Sequence, residues 1–121
     1  MASAKDIMGG GFSAAAAAAI NGQVSSAITA AGTTQSDATA LVASINVVTT
    51  AAASTGVLLP NTEIGDEYEV LNLGASALTV YPPTSGQINQ LSANTGFSLA
   101  PNTAVKVRKY TSTKWVAWLS A

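Results

Sequence analysis

Four carboxylates, Glu63, Asp66, Glu67 and Glu69, form the one acidic cluster of this chain. Two neighbouring carboxylates are the raw material for an acid/base pair or for a Ca²⁺ site. Here Glu67 and Glu69 alternate with Tyr68 and Val70, the period-two pattern of a strand with one wet face, and no D-x-D-x-D-G loop is present. The chain has no Cys and no His. That removes thiol nucleophiles, disulfides, Cys/His zinc sites and the usual general base near neutral pH. Serine, threonine and aspartate remain, but a hydrolytic triad built from them lacks its base. No catalytic, cofactor-binding or metal-ligating residue is therefore expected, and the chain does not read as an enzyme.

The matching basic group is Lys106, Arg108, Lys109 and Lys114. It reads as a solvated strand face, with the acidic cluster of an adjacent copy as the alternative partner. Tyr81, Trp115 and Trp118 are the aromatics that a sugar-stacking platform would use. Tyr and Trp are also the preferred anchors of protein interfaces and of small cores, which is the favoured reading here.

The elements that would position these residues are short. From about residue 38 the chain is rich in β-branched residues, and strands are expected over Ala38–Val42 and Asn46–Ala52, although Ser36 and Asp37 are also suited to capping a helix that runs to Ser44. Alternation marks further strands over Asp66–Leu73 and Ala104–Tyr110, with Val105 and Val107 opposing Lys106 and Arg108. Gly74, Ala75 and Ser76 read as a tight hairpin into Leu78–Tyr81. Pro82 and Pro83 cannot donate to a ladder, so they are expected to end that strand at a sheet edge, with Thr84–Gly86 reversing the chain before Gln87–Leu91. Lys114–Leu119 is apolar on both faces, as in a strand covered on both sides. A brief internal repeat is visible: Gly56–Thr62 is echoed by Gly96–Thr103, each a short apolar run, a Pro-Asn corner and a longer strand. Short strands separated by turn signals predict an all-β domain over residues 36–121, a small β-sandwich or jelly-roll-like barrel.

Residues 1–35 read as an extended, Ala-rich N-terminal arm. Isolated Ile7, Met8, Phe12, Ile20, Val24 and Ile28 punctuate Ala, Ser, Gly and Thr. Gly9–Gly11 break any helix before it starts, Ala14–Ile20 has room for one or two helical turns, and Asn21-Gly22 reads as a turn. Such a segment cannot bury enough apolar surface to order alone, so these six residues, with Tyr81, Trp115 and Trp118, are the candidate interface contacts. The N-terminus has one Lys and no Leu-rich run, and is expected to be a poor signal peptide.

Only 9% of the 121 residues are charged, the net charge is −1 and 48% are hydrophobic, much of that alanine. A nucleic-acid binder needs a basic footprint, so nucleic acid is not an expected partner. No apolar stretch is long enough for a membrane-spanning helix, so no membrane is expected either. So few charges on a small domain imply faces that are covered by copies of the chain or by a larger partner.

Taken together, Gly56–Pro60, the Gly65–Glu67 turn with Tyr68–Asn72, Leu78–Pro82 followed by Gln87–Asn89, and the closing Thr113–Trp115 resemble a small β module of the virion proteins of tailed bacteriophages. The resemblance covers about residues 28–121. It implies a structural virion component: a capsid decoration (cement) protein, trimeric, bound to the major capsid protein on the outer surface of the phage head. A receptor- or glycan-binding module of a fibre or spike is the alternative. The resemblance brings no catalytic residues and no cofactor.

Overall fold

The computed structural model describes residues 23–120. Ten strands run in chain order: β1 Val24–Thr29, β2 Thr39–Ala40, β3 Ile45–Thr50, β4 Gly56–Leu58, β5 Glu67–Asn72, β6 Leu78–Tyr81, β7 Gln87–Ile88, β8 Phe97–Leu99, β9 Thr103–Lys109 and β10 Lys114–Leu119. No helix occurs among the described residues: over 36–44 only Thr39–Ala40 is strand and the rest is turn and loop, so the capped helix is not formed and the expected strand Ala38–Val42 shrinks to two residues. The fold is all-β.

The two sheets are wound, not folded back. One is six-stranded in the order β1-β3-β5-β9-β10-β7, the other four-stranded in the order β2-β4-β6-β8. From β1 to β6 the chain crosses to the opposite sheet at every corner, so β1, β3 and β5 stack in parallel, and so do β2, β4 and β6. Each turn takes about 20 residues, near the lower end for solenoid repeats. This stacking replaces the expected sandwich or barrel. Period-two alternation reports which face a residue occupies and not which strand lies beside it, so it cannot separate the two arrangements. Antiparallel strands close the coil: β8 pairs with β6, and β9 pairs with both β5 and β10.

Two corners differ from expectation for the same reason. Gly74–Ser76 carries the chain from β5 in one sheet to β6 in the other, so it is a cross-sheet corner and not a hairpin. Buried Asn72 makes the turn: its Oδ1 accepts from Gly74 N at 2.9 Å, and its Nδ2 donates to Ser76 O at 3.0 Å and to Leu99 O at 2.9 Å. Pro82 and Pro83 do end β6, but β6 lies inside its sheet, between β4 and β8. Ser85 adopts a φ of 69° there, and Asn94 Oδ1 accepts from Ser85 N and from Gln35 Nε2, which also donates to Pro82 O. That corner is structural.

The core lies between the sheets. Val48, Val70, Val105, Val107, Ile88 and Trp115 face inward from one, and Val57, Leu78, Val80 and Leu99 from the other. β1 begins inside the stretch read from sequence as an arm. Residues 24–29 pair in parallel with β3, and Ile28 packs against the core. The folded unit therefore starts earlier than residue 36. Ile7, Met8, Phe12 and Ile20 lie outside the described residues.

Candidate functional site

Strand register gathers the charged residues on one surface. Glu67 stands opposite Arg108 and Glu69 opposite Lys106; on the other side of β9, Arg108 faces Val116 and Lys106 faces Trp118. Beside Glu69 comes Ile45 on β3, and beside Ile45 comes Val24 on β1. One row thus reads Val24, Ile45, Glu69, Lys106, Trp118 across five strands. A neighbouring row carries Val47, Leu71 and Ala104. Side chains alternate along a strand, and the intervening positions hold core residues, so these rows form the outer face of the six-stranded sheet. Its middle is charged and its flanks are apolar. Val24 is 60% exposed and Trp118 50% exposed.

The charges at the centre are paired within the chain. The Glu67 carboxylate accepts from Arg108 and lies 3.5 Å from Lys106 Nζ. Pairs this exposed contribute no more than about 1 kcal/mol, so they fix register and polarity more than stability. Lys106 and Arg108 of the basic group thus meet Glu67 of their own chain.

Lys109 departs from that group. It is in phase with Val105 and Val107, which turns it inward, and it is only 5% exposed. Its ammonium donates to Thr62 O and to Asn61 Oδ1, the latter at 3.2 Å, and so ties β9 to the loop before β5. Among the candidate aromatics, Trp115 is fully buried and tilted against Tyr68, with ring centroids 6.1 Å apart. It belongs to the core and is no surface anchor, because its parity along β10 points it inward while Trp118 points out. β10 is accordingly covered on one face only. Tyr81 is half-buried, and its hydroxyl donates to Thr33 O at 3.2 Å. A Cβ on Gly56 would come within 2.6 Å of Tyr81 Cε2, and one on Gly96 within 2.9 Å of Tyr81 Cδ1. The internal repeat therefore has a physical role: its two glycines admit the same aromatic ring from both sides.

Away from this face, Asp37 closes a loop before β2. Its carboxyl accepts from the N–H groups of Thr34 and Thr33, and the Thr34 bond above all holds it below the usual carboxylate range. Among the described residues, no group of three or more acidic side chains is placed to hold a metal ion, and no helix is long and apolar enough to cross a membrane.

The sequence reading missed Ile45, Val47 and Leu71 as outward-facing residues. Their signal was present: apolar side chains at both parities of β3 and β5 mark strands whose outer face is also partly covered. Asn46 and Asn72 were missed as buried anchors, since an Asn inside a β-branched run carries no sign of which corner it ties.

No protein-family model matches the chain, and comparisons with curated proteins and with solved structures find no match.

Proposed function

We propose that the chain is a structural virion protein of a tailed phage, a decoration protein that binds the outer surface of the assembled head and stabilises it. The observation that carries this reading is the outer face of the six-stranded sheet. It presents Val24, Ile45, Val47, Leu71 and Trp118 on a rigid wound scaffold, in a chain with 9% charged residues. The order of turn and strand motifs that resembles phage virion modules supports it further. Contact with the major capsid protein covers the apolar flanks, at roughly 25 cal/mol per Å² of apolar surface removed from water. The central charge row sets orientation more than affinity. Three copies seated at a three-fold position of the shell match the symmetry such a shell offers. The mechanism is mass action: a protein that binds the assembled shell and not its dissociated subunits stabilises it by about 2.7 kcal/mol at a free concentration of 100 times the Kd.

The test is decoration of undecorated heads by purified protein, followed by sedimentation and a stained gel for copy number. Leu71→Asp and Val47→Asp place a charge on the outer face without touching the core, and each is expected to abolish co-sedimentation while leaving the thermal unfolding curve close to that of the parent. Normal decoration by both variants would refute the sheet-face reading. Failure of the parent chain to bind any head would refute the decoration reading itself.

A further inference from the structure

Beside β10 lies a groove of about 550 Å³ lined by Asn89, Gln90, Tyr110, Trp115 and Val116. None of these side chains carries a charge. Tyr110 is 50% exposed. Asn89 is fixed at the rim. Its backbone adopts a φ of 52°, its N–H donates to Trp115 O at 2.9 Å, and its Oδ1 accepts from Ala117 N at 3.0 Å. Its amide NH₂ is left as a donor, next to the exposed amide of Gln90. The indole Nε1 of Trp115 is fully buried and has no hydrogen-bond partner among the described residues.

We propose that this groove binds a neutral saccharide. The chemistry is that of sugar recognition: aromatic faces that pack against the C–H face of a pyranose ring, amide and hydroxyl groups that exchange hydrogen bonds with its hydroxyls, and no charge to select an ionic ligand. The volume falls within the usual range for small-molecule sites and accommodates one or two sugar rings. Gln90 and Asn89 supply paired donors and an acceptor, Tyr110 supplies the stacking surface, and Trp115 and Val116 form part of the wall. This site stands apart from the shell-docking reading, because the groove is lined by none of the residues that carry that reading.

The test uses the full chain and three neutral trisaccharides, built from glucose, from galactose and from N-acetylglucosamine. Saturation-transfer NMR reads contact with the sugar ring protons, and tryptophan fluorescence reads occupancy. Saturable binding of at least one trisaccharide is expected. Tyr110→Ala and Gln90→Ala should each weaken it at least tenfold, while Val24→Ser, on the far edge of the sheet, leaves it unchanged. Three results overturn the proposal: no transfer to any of the sugars, transfer that survives Tyr110→Ala and Gln90→Ala, or binding of acidic saccharides alone that salt abolishes. Loss of head decoration by Tyr110→Ala, with no sugar bound by the parent, would assign the groove to a protein partner instead.

Discussion

Replacing Asn72 by Ala should be among the most damaging single changes available in this fold. The side chain is fully buried, and its three hydrogen bonds join the end of β5, the corner at Gly74–Ser76 and the end of β8 in the opposite sheet. Alanine leaves Gly74 N–H and Leu99 C=O buried without this partner, while Ser76 O sits where water has more access. A stranded buried donor or acceptor costs about 1–3 kcal/mol, so two of them predict a loss of about 3–4 kcal/mol, out of a total near 5–15 kcal/mol for a domain. Asn46→Ala provides the internal comparison. Asn46 is equally buried, but its Nδ2 serves one buried carbonyl, Ala43 O at 2.9 Å, and the part-buried Glu69 O at 3.2 Å, while its Oδ1 has no partner. Its removal should cost about 1–2 kcal/mol. Urea unfolding followed by tryptophan fluorescence measures both. With a slope of roughly 1–2 kcal/mol/M, Asn72→Ala lowers the midpoint by about 2 M and Asn46→Ala by less than half of that. Equal shifts for the two variants, or an Asn72→Ala shift below about 0.5 M, would refute the claim that satisfaction of corner backbone groups holds the two sheets together.

Gly96→Ala should destabilise by about 1–3 kcal/mol in the same assay, because the new methyl would lie 2.5 Å from Thr79 Cγ2 and 2.8 Å from Val80 O, a backbone atom that cannot swing away. In a Tyr81→Ala background Gly96→Ala should cost somewhat less than in the parent, because Tyr81 Cδ1 is one of the three atoms the new methyl meets, while Thr79 Cγ2 and Val80 O remain in its way. Glu67→Gln should lower stability by less than about 1 kcal/mol, and the difference from the parent should shrink further in 1 M salt, as expected of an exposed pair. Because the pKa of Asp37 is lowered in the folded chain, its contribution is present above the ordinary carboxylate value and is lost as the pH falls through the lowered one. Asp37→Asn should therefore flatten the acid limb of the stability–pH curve, measured as urea midpoints between pH 2 and 6 (about the range over which an Asp titrates).

Strand positions were legible in the sequence because the strands are short and bounded by Pro, Gly and Asn. Leu78–Tyr81 and Lys114–Leu119 are β6 and β10 as expected, and Asp66–Leu73 differs from β5 by one residue at each end. Pairing was not legible. A residue at period two declares its face, and nothing in Tyr68 or Val80 says that their strands sit in different sheets. β1 escaped detection because VSSAIT has one core contact, Ile28, and its small polar residues suit an edge. At the candidate surface, Trp118 could be read from composition, but the separation of Trp115 from Trp118 required parity along β10. Parity also explains Lys109: it falls in phase with Val105 and Val107, but a charge at an inward position is normally read as a break in the pattern.

The path of the chain also bears on synthesis. β9 lies between β5 and β10, and β7 has β10 as its neighbour in the sheet, so β9 and β10 fill a gap between segments made before them. As the nascent polypeptide leaves the ribosome, β1 to β6 have their parallel partners in hand, but β5 offers a bare hydrogen-bonding margin and β7 has nothing to hold until the β9–β10 hairpin arrives. During that interval the unfinished molecule carries an adhesive border suited to pairing with a sister chain on the same message. A chain truncated after residue 100 should consequently give far more insoluble product than the same chain carrying β9 and β10.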